Sequence, residues 1–366
     1  MVSAPSERIP VSLVTGFLGS GKTTLIATLL RQPAMAGTAV IVNEFGEVGI
    51  DDAVFADAIG ADGILLLANG CLCCTVREDL ARTMWSLIRR EDPPTRIVIE
   101  TTGLAEPAPI LNRLMGDPRL RQSTRLDVVI ATVDAVNGRD TLDRHPVAAR
   151  QAALADRRII TKGDIAPAMS VEDLRSRLAA LNPGAGIRVA NFGAVGTEEL
   201  LGASLYDFRQ GTTDLSRWLR LQDHRAQPLL DQFRGRSVRF SGGTDGVEIG
   251  TWLLEEARPV SWEVLAPRLG GIIARHGHAL LRVKGVVRTA DDPRPLVIHG
   301  VQRLFHSPFR LRQWRMDPIS AVVAIGDRSA GDAVAEIADA FASAAAVSSP
   351  GQSVADDQER WTGRKV

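Results

Sequence analysis

Residues Gly16 to Thr23 read GFLGSGKT, and this octapeptide limits the possible fold more than any other stretch of the chain. It fits G-x-x-x-x-G-K-[ST] and lies between the apolar run VSLVT and the helical pattern GKTTLIATLLRQ, the strand-loop-helix setting in which such a loop wraps a phosphate chain. Gly16, Gly19 and Gly21 let backbone amides turn inward around phosphates, and Ser20 and Thr24 belong to the same binding stretch. Lys22 is expected to reach the β- and γ-phosphates and Thr23 to offer its hydroxyl to Mg²⁺. The N-terminus of the following helix adds positive potential.

Downstream, short apolar runs keep alternating with helical patterns: TAVIVN, LLLAN, VREDLARTMWSLIRR, RIVIETT, PAPILNRLMG, RLDVVIATVDA, a helix near VAARQAALA, RRIITK, VEDLRSRLAAL and IRVA. That rhythm predicts an α/β fold, a P-loop domain with a mainly parallel sheet flanked by helices. Around DLSRWLRLQDHRAQP the pattern gives way to polar and charged residues and reads as a linker. Beyond it, strand candidates SVRFSG, ALLRVKGVV, PLVIHGVQRLF and AVVAIGD, with helices WEVLAPRLGGIIARHG and GDAVAEIADAFAS, predict a smaller α+β domain. The expected organisation is a flexible N-terminus over residues 1–10, the P-loop domain over 11–204, a linker over 205–234, the C-terminal domain over 235–342 and a disordered tail over 343–366. Two domains suit 366 residues at about 150 residues each.

Charge narrows the range of partners. Lys plus Arg and Asp plus Glu both number 43, so no net field draws nucleic acid or an anionic membrane. No apolar run reaches the roughly 18 residues of a membrane span, and the start MVSAPSERIP lacks a signal peptide's apolar stretch, so a cytoplasmic location is expected.

A second acidic group should follow an apolar strand to manage Mg²⁺ and its waters, and RIVIETTGLAEP puts Glu100 there. Three residues on, Gly103 can donate its amide to a γ-phosphate and hinge with it. The base-reading element is TKGD, in which Asp164 can accept two hydrogen bonds from a guanine edge and Lys162 can lay its stem along the base. GTP is thereby favoured over ATP.

The remaining unusual feature is NGCLCC, after the run ILLLA, which holds all three cysteines. An odd, clustered set suits reduced thiols rather than a disulfide framework. Cys71, Cys73 and Cys74 converge on one soft or borderline cation only if the segment leaves extended geometry, because in a regular strand Cys74 points away from the other two. Tetrahedral zinc then needs a further ligand or an open position. The preceding NEFGEVGID, where switch I should lie, offers Glu44, Glu47, Asp51 and Asp52, with Glu47 the candidate ligand. Thiolates with a carboxylate suit Zn²⁺ and tolerate Co²⁺ or Fe²⁺. Two other readings stay open, small buried hydrophobes and a redox-active cluster.

In this order, GFLGSGKTT, NEFGEVGID, NGCLCC, ETTGLAEP and TKGD resemble the CobW-type GTPases, relatives of the HypB and UreG metallochaperones, over residues 11–341. The resemblance puts the family's Walker A motif on Gly16 to Thr23, its C-x-C-C motif on Cys71, Cys73 and Cys74, its Glu-containing G3-like motif on Glu100 to Gly103 and its base-reading Asp on Asp164. RVKG, HGVQRLF and AVVAIGD resemble the family's C-terminal domain. What the resemblance implies is a GTP-dependent chaperone with slow intrinsic hydrolysis, delivering zinc, cobalt or another transition metal to a client metalloprotein. Nucleotide and Mg²⁺ are then expected to order residues 44–52 and Cys71 to Cys74 into a tight site that hydrolysis loosens.

Two departures matter. Thr161 stands where Asn is commoner, which weakens the case for guanine selectivity, and a His-rich linker is absent, with His224 alone there, which argues against metal storage. His276 and His278 read as loop or surface residues. No side chain reads as a general base. The rival readings are a P-loop kinase or transferase with ATP preference, and a nucleotide-gated interaction protein without metal. Oligomeric state is not legible.

Overall fold

The computed structural model describes residues 8–42, 64–66, 75–191, 194–201, 219, 237–242, 249–305, 308–314 and 316–347. They belong to two compact units. In the first, β1 (Ile9–Gly16), β2 (Thr38–Val42), β3 (Ile64–Leu66), β4 (Arg96–Glu100), β5 (Thr124–Asp134), β6 (Arg157–Thr161) and β7 (Gly186–Ala190) form one sheet in the order β3-β2-β4-β1-β5-β6-β7. Every pairing is parallel. Parallel neighbours need crossovers, which here contain α1 (Lys22–Leu30), α2 (Thr75–Ile88), α3 (Pro107–Gly116), α4 (Pro118–Ser123), α5 (Gly138–Arg144), α6 (Pro146–Leu154) and α7 (Ala168–Leu181), while α8 (Thr197–Leu200) follows the last strand. Helices on both faces explain why the central strands are almost continuously apolar, with Val11, Leu13 and Val14 of β1 and Ile97, Val98 and Ile99 of β4 all buried.

The helix starts follow local chemistry. α3, α4 and α6 each begin on a proline, whose fixed φ suits a first helical turn and whose missing N–H would have no partner there. Asp117 caps α4 by accepting from the Arg119 amide at 2.9 Å. On one face, Leu25, Ile26, Leu29 and Leu30 of α1 pack with Val40, Val98, Val128, Ile130 and Ile159. The parallel arrangement brings the C-terminal ends of β1, β4, β5 and β6 to one edge of the sheet, where open α/β folds place their ligands.

The second unit contains most of β8 (Ser237–Gly242) and β9 (Ile249–Glu256), with α9 (Trp262–His276), β10 (Leu280–Val287), β11 (Leu296–Val301), β12 (Leu304–Phe305), β13 (Phe309–Arg310), β14 (Ser320–Asp327) and α10 (Ala330–Val347). The sheet order is β12-β11-β10-β14-β9-β8, with β13 also paired to β11. β10 runs antiparallel to both β11 and β14. Its core joins Leu265, Leu269 and Ile272 of α9 and Val334, Ile337 and Phe341 of α10 to Val283, Val287, Ile298 and Val322 of the sheet.

Several local expectations change. PLVIHGVQRLF is a hairpin rather than one strand, because Gln302 takes a left-handed φ of 50° and turns the chain between β11 and β12. β9, α4 and α5 join the expected elements. The closing helix runs on to Val347, which corrects the expectation of a disordered tail from residue 343: Ala344 and Ala345 are buried in the core, and alanine combines high helix propensity with a side chain small enough for close packing. Among the described residues, no helix is long and apolar enough to cross a membrane.

Candidate functional site

β1 ends at Gly16 and α1 begins at Lys22, so residues 17–21 form the loop that the motif predicts. Gly16, Gly19 and Gly21 take φ of 145°, 67° and 85°, a region that L side chains rarely adopt. At Gly16 a Cβ would also lie 2.3 Å from Thr132 Oγ1. Gly21 is the N-cap of α1 and gives no side-chain cap, so the first-turn amides are left for a ligand to satisfy. Lys22 is buried, and its Nζ donates to the Phe17 carbonyl at 3.3 Å, folded back over its own loop. Thr24 is exposed on the first turn.

The phosphate loop and the acidic strand meet directly. Thr23 Oγ1 donates to Glu100 Oε1 at 2.9 Å, across 77 residues of sequence. Glu100 is the last residue of β4, 2 % exposed, and pairs in register with Val14 of β1 and Val42 of β2. Beneath the loop runs a series of buried hydroxyls. Thr101 Oγ1 donates to Thr15 Oγ1 at 2.9 Å, Ser20 Oγ and Thr132 Oγ1 lie 2.6 Å apart, and Thr161 Oγ1 donates to the Ser20 carbonyl at 2.7 Å. Gly103 lies against the loop, since a Cβ there would come within 2.8 Å of Leu18 Cα.

The TKGD turn follows β6. Asp164 is exposed, while Lys162 takes a φ of 57° and its Nζ donates to Asp134 Oδ2 at 2.7 Å. Sequence reasoning missed Asp134, the last residue of β5, which also accepts the Val136 amide at 2.7 Å. Burial works to raise the Asp134 pKa, but the Lys162 ammonium and the Val136 and Asn137 amides outweigh it and hold the carboxyl below its ordinary value. A depressed folded-state pKa gives stability that is fully present above the unfolded carboxylate pKa of about 3.9 and is lost as pH falls through the folded value. Asp134→Asn is therefore expected to cost about 1 kcal/mol at neutral pH, small because Lys162 is part exposed, with the gap from wild type closing below about pH 4. Unfolding midpoints measured against pH check this, and a gap that does not narrow in acid counts against it.

Beside the loop lies a cavity of about 160 Å³, lined by Phe17, Leu18, Asp134, Thr141, Gln151 and Lys162 among others. Phe17 stacks on His145 with ring centroids 4.6 Å apart. Cys71, Cys73, Cys74, Glu44, Glu47, Asp51, Asp52 and His224 lie outside the described residues. Among the described residues no group of three or more His, Cys, Asp or Glu side chains is placed to hold a metal ion. His278 is exposed, as expected, whereas His276 ends α9 half-buried and bonds Glu336 of α10 through Nε2 at 2.9 Å.

The chain matches known proteins along most of its length. Residues 10–188 match the family "CobW/HypB/UreG, nucleotide-binding domain", and residues 249–344 match "Cobalamin synthesis protein cobW C-terminal domain". It is 33 % identical to the zinc chaperone YjiA of Escherichia coli over 87 % of this chain and 94 % of that one. It is 29 % identical to the zinc chaperone CobW of a Sinorhizobium species, over 81 % of this chain and 86 % of the relative. The crystal structure of Zn(II)-bound YjiA GTPase from E. coli superposes with a TM-score of 0.63 at 27 % identity, covering 92 % of this chain and 99 % of that one.

Proposed function

We propose that this chain, a GTPase that belongs to the CobW/HypB/UreG family, is a cytoplasmic zinc chaperone that couples its nucleotide state to metal held by Cys71, Cys73, Cys74 and Glu47. The observation that carries the reading is strand register. Glu100 pairs with Val42, and Val42 with Leu66, so β2 and β3, which precede Glu47 and the three cysteines in sequence, both end level with Glu100. Adjacent strands are about 4.8 Å apart, so the ends of β2 and β3 lie roughly 10 Å or less from the Glu100 backbone. The names of the relatives, zinc chaperone and Zn(II)-bound GTPase, support zinc as the cargo.

In this reading the α1 amides and Lys22 hold the β- and γ-phosphates, and Asp164 reads guanine while Lys162, steadied by Asp134, lies along the base. Thr161 replaces an Asn side chain by tying the base-reading turn to the loop through the Ser20 carbonyl. Thr23 and Glu100, a hydroxyl and a carboxylate already in contact, form the hard oxygen pair that suits Mg²⁺. When bound, Mg²⁺ supplies charge neutralisation on the phosphate oxygens. Gly103 presents its amide to the γ-phosphate and moves with it. A client metalloprotein receives the zinc once hydrolysis has loosened the thiolate site.

The test is a competitive zinc titration with GDP and with a non-hydrolysable GTP analogue. The analogue is expected to tighten zinc binding at least about tenfold, within the usual range of coupling free energies. Replacing Cys71, Cys73 and Cys74 by Ser should remove both the tight site and the linkage. Equal affinity in the two nucleotide states would defeat the proposal.

A further inference from the structure

The turn after β4 is gripped from a side that the nucleotide motifs do not point to. Gln151, in the middle of α6, is 1 % exposed, and its Nε2 donates to the Gly103 carbonyl at 3.2 Å and the Ala105 carbonyl at 2.9 Å. Both side-chain donors are thus committed to one short turn. Across that turn, a Cβ on Gly103 would sit 2.7 Å from the Leu18 amide nitrogen, so the turn's backbone rests on the backbone of the phosphate loop. The Ala105 amide closes the turn on the Thr102 carbonyl at 3.1 Å. Residues 102–105 are held between the loop that takes the phosphates and one side chain of a helix.

Packing alone does not call for an amide at this position. The neighbouring buried residues of α6 are Ala148, Ala149, Ala152 and Ala153, and an apolar side chain would fill the same volume without desolvating a polar group. The amide instead satisfies two buried carbonyls and fixes their directions. Holding the Gly103 carbonyl narrows the Gly103 φ and ψ that relate it to the Gly103 amide, the group assigned above to the γ-phosphate. Gln151 and Leu18 further share the cavity of about 160 Å³.

We infer that Gln151 is a positioning residue for GTP recognition: by clamping the Gly103 and Ala105 carbonyls it aims the Gly103 amide at the terminal phosphate and so sets the preference for GTP over GDP. The inference rests on the assignment of Gly103 as the γ-phosphate contact.

The experiment measures affinity for GDP and for a non-hydrolysable GTP analogue, with Mg²⁺ present, in the full chain and its variants. Gln151→Met keeps the length of the side chain and removes both donors. It is expected to leave GDP affinity within about twofold and weaken the analogue about tenfold, in line with the loss of two hydrogen bonds that matter only when a γ-phosphate is present. Gln151→Asn keeps the amide one methylene short and should fall between Met and wild type; it carries the comparison if the Met variant does not fold. Equal weakening for both nucleotides marks a general structural role and overturns the inference, as does no change in either. Gly103→Ala separates the two claims. An unchanged GTP-to-GDP preference in that variant means that Gly103 does not read the γ-phosphate. A lost preference there, with a wild-type preference in Gln151→Met, refutes the clamp alone.

Discussion

Exchanging Glu100 for glutamine is expected to lower the rate of GTP hydrolysis by roughly two to three orders of magnitude while GDP affinity stays within a few-fold. The substitution preserves shape and leaves a side-chain carbonyl to accept the 2.9 Å bond from Thr23, so the loop and β4 remain joined. What it removes is negative charge. Glu100 is 2 % exposed at the end of a strand paired on both sides, and placing a carboxylate there is costly in desolvation. Such a cost at the mouth of a phosphate loop fits a group that serves a cation and its waters better than one that serves packing. Single-turnover hydrolysis at saturating GTP measures the loss, and Mg²⁺ titrations of GTP affinity show whether the cation is what has been weakened. Hydrolysis at the wild-type rate would remove Glu100 from the chemistry.

The residues named in that prediction were legible because their signals are local. GFLGSGKT carries its own conformational demands, and the run RIVIE marks a buried strand ending on an acid. The groups that support them were not legible. Lys162 meets Asp134 across 28 residues because parallel strands bring their ends to one edge, and Gln151 meets Gly103 across 48 because α6 lies beside the turn after β4. Asp134 closes an apolar run much as Glu100 does, so a search for acids at strand ends would have found it. Gln151 has no such signal, since a single glutamine in an alanine-rich helix reads as surface. In sequence Thr161 stands as a departure from Asn, yet its hydroxyl bonds the Ser20 carbonyl of the loop at 2.7 Å, a role that depends on β6 and β1 flanking β5. In the second unit, β9 went unseen: IGTWLLEE ends on two acids, and its apolar positions gain meaning only when the strand lies in the sheet next to β14.

Arg158→Met should destabilise the first unit by about 2–4 kcal/mol, the scale for removing a charged donor from several buried carbonyls. An Arg two residues into RRIIT would ordinarily be placed at a solvated strand end, but this one is 0 % exposed. Its guanidinium donates to the carbonyls of Leu178, Asn182 and Ala185, the last two at 2.7 Å. These lie at and just beyond the C-terminal end of α7, where the helix dipole favours a cation, and the Leu178 and Asn182 carbonyls each also accept one backbone amide at 3.2 Å. Asn182 extends the tie to α6 by donating to the Ala153 carbonyl at 2.7 Å. Methionine fills much of the volume but removes those donors; the Leu178 and Asn182 carbonyls keep one backbone amide each, so the full cost of about 1–3 kcal/mol for an unmet acceptor applies to fewer than all three. Arg158→Lys should recover only part of the loss, because a single ammonium cannot span three acceptors that a planar fork reaches together. Urea unfolding with and without GDP tests the idea. GDP binding raises stability by linkage in wild type and variant alike, so a purely local fault leaves the gap unchanged. A gap that widens with GDP means that loosening α7 has also disturbed β6 and the Thr161 tie to the loop, and a variant as stable as wild type refutes the structural role.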